Sequence, residues 1–395
     1  MKDNVIPYGR QYISNEDIKA VVDALTSDYL TQGPKIAEFE KAFAAYIGSK
    51  YAVAVANGTA ALHLSTLALD VKPGDKVITT PITFVASANC VRYCGGEVVF
   101  ADIDPKTYLL DIKAVEKLLA SAEKGTYKGI IPVDFGGRAV DLEAFRKLAD
   151  EYGLWIIEDA CHAPGGYFID QNKQQQLCGN GKFADLAIFS FHPVKHIACG
   201  EGGMITTNDE ALYNKLLKLR THGITRKEDE YTNSIEFAGG TDRYPNWYME
   251  MQTLGYNCRL TDFQAALGFS QLQRADDGLN RRREIAAIYK QAFEGKDFII
   301  SQSGTIEGHA YHLYVLEVND RLGLYNHLRS YQVFAQIHYI PCHLMPYYRS
   351  LGWKEGDFPR AEAYYRNCIS LPMFPTLTED EQQYVIELIT NYYRA

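Results

Sequence analysis

A chain of 395 residues, 47% apolar, 23% charged and 12% aromatic, is unlike a disordered, collagen-like or disulfide-stapled sequence. At about 150 residues per domain it is long enough for two or three domains with a sizeable core. Forty basic against forty-nine acidic residues give a net charge of −9, without the long Lys/Arg run that nucleic-acid binding needs, so any phosphate ligand must be held by local means.

Tyr51–Ala56 reads as a strand, after which Asn57-Gly58-Thr59 opens an Ala/Leu-rich helical stretch to about Leu69. Further strand candidates are Lys76–Thr79, Glu97–Ala101, Gly129–Val133, Leu154–Glu158, Leu186–Phe191 and Gly203–Thr206, with helical patterns such as Leu142–Tyr152 between them. Buried Val/Ile-rich strands alternating with helices imply an α/β fold, a mainly parallel sheet covered on both faces. From about Gly223 to Tyr256 no period is sustained, and so long an irregular segment reads as a functional arm or lid. A helical stretch then runs from Asp262 to about Phe293, with a break expected near Asp277-Gly278. Strand-like Tyr311–Glu317 and Gln332–His338 and a helix at Thr378–Tyr393 complete a smaller α+β region. The expected division is a large domain over 1–270 and a small one over 271–395.

Eight cysteines are scattered without a CxxC pair, and Cys90 and Cys94, at helical spacing, read as core packing with no zinc set completed, so no metal is expected. The stretch MKDNVIPYGRQYIS has no apolar core of a leader, and no apolar run is long enough to span a membrane. A reducing cytoplasm is the expected location.

The chemistry-bearing residues gather at strand ends. Strand 154–158 delivers Asp159 to the carboxyl edge of the sheet, where open α/β sheets bind ligands, and Lys195 follows strand 186–191. A carboxylate and a lysine at one sheet mouth fit pyridoxal 5′-phosphate (PLP): the lysine forms the Schiff base and the carboxylate pairs with the pyridine nitrogen. Asn57-Gly58-Thr59-Ala60 stands at a strand-to-helix junction, where free N–H groups favour an anion, and Ser190 adds a hydroxyl. Each signal alone is weak, since lone lysines are usually solvated and Asp or Gly-Thr beside a helix is often a cap. Their order and spacing together carry the reading.

The motifs ANGTAAL (56–62), PITFVASAN (81–89), EDACHAPG (158–165), FSFHPVKH (189–196), GEGGMITT (200–207) and GYNCRLTDFQAALG (255–268) resemble the DegT/DnrJ/StrS sugar aminotransferases. The likeness runs from TQGP (31–34) to SLPMFP (370–375) and implies the aspartate-aminotransferase (PLP fold type I) architecture and a homodimer with shared active sites. It implies that Lys195 is the Schiff-base lysine and proton carrier and that Asp159 pairs with the pyridine nitrogen. Phe84 would stack on the ring, and Thr59, Ala60 and Ser190 would hold the phosphate. Asn257 would reach the cofactor of the partner subunit, covered by the arm at 223–256.

Many members carry Gln three residues after the pyridine-binding Asp, where this sequence has His162. With the His-Pro-Val-Lys form of the lysine motif, this looks like the branch that makes the 4-amino precursor of pseudaminic acid from a UDP-linked 4-keto-6-deoxy N-acetylhexose, with L-glutamate as donor. The alternatives are a dTDP-linked 3- or 4-keto hexose, a PLP-dependent dehydratase or a non-catalytic regulator. Lys195 sits in register five residues after Ser190, which argues against a dehydratase with His in its place. His338, Tyr339 and His343 after a C-terminal strand are candidate sugar contacts, as are Thr31 and Gln32 on an N-terminal loop. For each the plain alternative is an interior polar group or a turn before a helix.

Overall fold

A computed structural model describes residues 5–394; Met1–Asn4, part of the stretch read for a leader, and Ala395 lie outside the described residues. The larger sheet has seven strands: β1 (Tyr51–Val55), β2 (Lys76–Thr79), β3 (Glu97–Phe100), β4 (Tyr127–Ile131), β5 (Trp155–Asp159), β6 (Leu186–Ser190) and β7 (Gly203–Thr207). Their spatial order is β1-β7-β6-β5-β4-β2-β3. β7 runs antiparallel to β1 and β6, while the other pairs are parallel. The strands read as continuous apolar runs because both faces are covered.

Side-chain alternation sends Leu186 and Ile188 of β6 into one core and Phe189 into the other. On the first face lie helices α3 (Gly58–Ala68), α4 (Ala86–Tyr93) and α7 (Glu210–Arg220). The second face is covered by α2 (Pro34–Ile47) and α8 (Asp262–Leu272), with Phe39, Phe43, Phe189 and Phe191 packed ring against ring. α1 (Asn15–Leu25) lies against α8. Helices α5 (Ile112–Ala120) and α6 (Leu142–Tyr152) complete the α/β alternation.

The helical stretch after residue 262 breaks earlier than expected. α8 ends at Leu272 and α9 (Ala275–Phe293) begins after Arg274, so Asp277-Gly278 lies inside α9. Asp276 and Asp277 sit in its first turn, where carboxylates favour a helix start. A methyl group at Gly278 would only touch Pro375 at 3.5 Å, so glycine here is ordinary helix rather than a stop.

A second, antiparallel sheet of β8 (Ile299–Gln302), β9 (Tyr314–Val318) and β10 (Cys368–Leu371) has a separate core with α9 and helices Arg321–Ser330 and Glu379–Tyr392. The N-terminal strand Ile6–Pro7 pairs in parallel with Val333–Phe334, and Ile6 is buried in this smaller core. The 223–256 segment is mostly irregular, tied at its base by the pairing of Ile224–Thr225 with Glu250–Met251. Among the described residues no helix is long and apolar enough to cross a membrane.

Candidate active site

Three elements converge at the carboxyl edge of the larger sheet. Asn57 caps α3 from an extended backbone, its Oδ1 accepting the Ala60 N–H at 2.8 Å, a cap that stabilises a helix by about 1 kcal/mol. The cap takes the Ala60 donor, not the first-turn N–H groups of Gly58 and Thr59, and both of these residues line the adjoining cavity. A side chain at residue 58 would crowd this space: a Cβ would stand 3.0 Å from Ser190 Cβ, which would have to give way, and 3.5 Å from Cys161 Sγ. Helix N-terminus and Ser190 hydroxyl thus form a small polar cradle that side-chain volume at residue 58 would fill.

Beside the cradle a cavity of about 440 Å³ opens, with Asp159, Lys195, Phe84, His162, His338 and Tyr339 in its walls. Asp159, the last residue of β5, is buried, and its Oδ2 accepts a 2.6 Å hydrogen bond from the Ser87 hydroxyl. Ser87 is itself 2.8 Å from the Thr83 hydroxyl, and the Cys161 N–H donates to Asp159 Oδ1 at 3.2 Å. The carboxylate therefore has one rotamer fixed from two sides. Lys195 sits in a turn in which its N–H donates to the His192 carbonyl at 2.8 Å. Desolvation lowers its pKa, against the opposing pull of Cys161 and Asp159. A lysine so placed is more readily deprotonated than one in water.

Neutral imidazoles surround that amine. His162 Nδ1 accepts the Gly136 N–H at 3.2 Å, which assigns the proton to Nε2, 3.3 Å from Tyr339 Oη. With the phenol oxygen accepting from Nε2, the Tyr339 O–H is free to donate into the cavity. The His312 ring lies 4.2 Å from that of His162. Burial, with Lys195 nearby, pushes the pKa values of both well below the usual imidazole value, and burial brings His338 down to about 3. Phe84 stands at the rim with 57% of its surface exposed, a ring face without a partner ring closer than Tyr339 at 6.3 Å.

Behind Asp159, buried Asp134, Glu158 and Cys178 bring one polar atom each within 4.8 Å of one another. Val140 N–H donates to Asp134 Oδ1 and Gly179 N–H to Glu158 Oε2, both at 2.8 Å. Desolvation raises the Asp134 pKa to about 6 and, with Asp134 beside it, that of Glu158 well above the carboxylate range, so the two share a proton. Folded-state values above the unfolded ones mean that the native state binds more protons, so this pair's contribution to stability falls as pH rises from about 4 through about 6. Asp134→Asn should therefore flatten this part of the pH–stability curve and gain about 1–2 kcal/mol at pH 8 relative to its change at pH 4. Urea unfolding at the two pH values measures it, and an unchanged slope overturns it.

The structure brings Thr59, Phe84, Asp159, His162, Ser190, Lys195, His338 and Tyr339 to one cavity. It does not bring the others there. Ala60 spends its N–H on the cap. His343 is fully buried, 3.0 Å from Glu362 Oε1. Thr31 bridges Thr261, and the exposed Thr31-Gln32 loop is pinned by Gly33 and Lys35 N–H groups to the Asp262 carboxylate. Asn257 is exposed on a segment paired with Thr221. Sequence reasoning missed Tyr8, Thr83, Ser87 and His312; the one signal was Ser87's place a helical turn after Phe84.

The family model for DegT/DnrJ/EryC1/StrS aminotransferases matches residues 11–390. The chain belongs to this family. It is 39% identical to the spore coat polysaccharide biosynthesis protein SpsC of Bacillus subtilis, over 98% of this chain and 97% of that one. Among solved structures, Helicobacter pylori PseC, an aminotransferase involved in the biosynthesis of pseudoaminic acid, superposes with a TM-score of 0.87 at 29% identity, covering 99% of this chain and 100% of that one. The sugar aminotransferase Spr1654 of Streptococcus pneumoniae in its PMP-form, described as putative, gives 0.87 at 28% identity over 98% and 99%.

The chain is thus a PLP-dependent sugar aminotransferase of the aspartate-aminotransferase architecture. Its cavity fits the cofactor: the Gly58 cradle suits a phosphate, and the buried carboxylate and half-buried lysine stand beyond it.

Proposed function

We propose that this chain transfers the amino group of L-glutamate, by a ping-pong route, to C4 of a UDP-linked 4-keto-6-deoxy N-acetylhexose, as in pseudaminic acid precursor synthesis. The observation that carries it is one wall of the cavity. Tyr8, His338 and Tyr339 offer aromatic faces and neutral hydrogen-bonding groups, with no arginine in the lining, which suits a hydroxylated, uncharged sugar ring. The likeness to PseC supports the particular sugar.

Bound PLP supplies an electron sink that makes a carbon-bound proton of the donor acidic. Lys195, desolvated and free to shed its proton, takes that proton from one carbon and delivers it to another. Asp159, fixed by Ser87 and the Cys161 N–H, pairs with the pyridine nitrogen. Gly58 and Thr59 N–H groups and the Ser190 hydroxyl would hold the phosphate, and Phe84 would cover the ring.

The working unit in this reading is a homodimer. Phe237, Trp247 and Leu254 of the 223–256 arm are 74%, 70% and 71% exposed, an apolar load that suits a second copy of the chain. Asn257, outside its own cavity, then serves the partner's. The free cysteines, several of them buried, favour the cytoplasm.

The SpsC relative, named for another polysaccharide, favours a second reading with a different nucleotide sugar. A panel of UDP- and dTDP-linked 3- and 4-keto-6-deoxyhexoses, assayed for glutamate-dependent amination, decides between them. The UDP-linked 4-keto N-acetyl sugar should give the highest kcat/KM, by about 100-fold over its dTDP counterpart lacking the N-acetyl group. Preference for a dTDP or 3-keto substrate overturns the first reading.

A further inference from the structure

Lys195 borders a second cavity, of about 220 Å³, on which the aminotransferase reading places no demand. Among the described residues its walls include Arg10, Arg274, Arg282 and Lys195 against a single acidic side chain, Asp277. Arg274 is already compensated, since its guanidinium is paired with Asp17 and stacked 4.6 Å from the Tyr12 ring. Among the described residues, Arg10 contacts the Val5 carbonyl, at 3.4 Å, and the Phe374 ring.

Arg282 is the unusual member. Its side chain is 1% exposed, and its partners are all main-chain carbonyls: Tyr311 at 3.1 Å, His312 at 3.4 Å and Met373 at 2.9 Å, all from Nη1. Its Nε is buried without a partner. Burial alone lowers its pKa, to about 10, with no neighbouring carboxylate to counter it. An unpaired buried guanidinium is expensive, and carbonyl dipoles offset only part of the cost. An anion with oxygens for its forked donors is the group that would match them.

We propose that this second cavity, which shares Lys195 with the first, binds a small carboxylate held by Arg282 and Arg10. Thr376 in the same wall adds a hydroxyl that suits a carboxylate's remaining oxygen, while the Gln271 amide is already committed to the Tyr12 carbonyl and Asp17. The field of Arg282 opposes charge on Lys195. A carboxylate in the cavity cancels part of that field, so its arrival is felt at the reactive amine. The site stands whether or not glutamate is the amino donor, because it rests on the second cavity alone.

Isothermal titration of the PLP-loaded enzyme with glutarate, which has no amino group to transfer, tests it at low ionic strength. A saturable site weakened about tenfold or more in Arg10→Gln and partly restored in Arg10→Lys is expected, beside any glutarate held at the amino-donor position of the first cavity, which Arg10→Gln leaves unchanged. Arg10 is exposed and lines only the second cavity, so its replacement leaves the fold and the cofactor cavity alone. Absence of saturable binding overturns the proposal. So does glutarate affinity unchanged by Arg10→Gln, or lost on Tyr339→Phe, which would place the ligand in the first cavity. Inorganic phosphate is the second arm: weaker binding than glutarate supports a carboxylate site, and equal or tighter binding overturns it.

Discussion

Lys195→Ala should abolish amination, lowering kcat by about 10⁴-fold or more, because in the proposed mechanism one group acts both as covalent anchor and as proton carrier. No neighbour can replace it. His162 and His312 are held neutral by burial, as is His196, whose Nε2 is bonded to the Ala310 carbonyl at 2.7 Å. Loss of the visible absorbance of the lysine-bound cofactor should accompany the loss of turnover. A variant keeping both would remove Lys195 from its role.

The same variant tests the shared site. Mixed and reassembled with Asn257→Ala chains, it should recover about a quarter of wild-type activity: half the dimers are mixed, and each gathers both defects into one site and leaves the other whole. No recovery would mean that Asn257 does not act across an interface.

Asp159→Asn should cost about 10³-fold in kcat with little change in the KM for the amino donor. An amide can hydrogen-bond to the pyridine nitrogen but does not favour its protonated form, so the electron sink is lost while binding survives. Ser87→Ala, which removes the 2.6 Å bond without removing the carboxylate, should cost about tenfold. Steady-state kinetics of the two variants separate the effects. A loss below tenfold for Asp159→Asn would sink the assignment.

Why the sequence disclosed some of this and not the rest has a physical basis. Strands β1 to β7 are legible because burial on both faces demands unbroken apolar runs, and the two strands that deliver Asp159 and Lys195 are of this kind. The reversed direction of β7 is invisible, since its composition is like that of its parallel neighbours. β10 was missed because Cys368–Leu371 is short and runs into proline. Gly278 misled because a glycine that costs a helix only about 1 kcal/mol looks in sequence like a stop.

In the site, residues fixed by local motifs were found, and those placed by contacts across the fold were not. Ser87 and Asp159 are separated by 72 positions, and nothing local to either announces the bond. His343 shows the converse error. It shares a segment with His338 and Tyr339, yet the turn Cys342–Leu344 carries it into the interior beside Glu362.

The first described residues bear on how the enzyme could breathe. Ile6–Pro7 is zipped to Val333–Phe334 of the smaller lobe, the Tyr8 carbonyl accepts the Met373 N–H at 2.9 Å, and the Tyr8 side chain stands in the cavity wall. Any swing of that lobe relative to the larger sheet must pull on this tether, so opening of the lobe and repositioning of Tyr8 in the cavity wall are mechanically one motion.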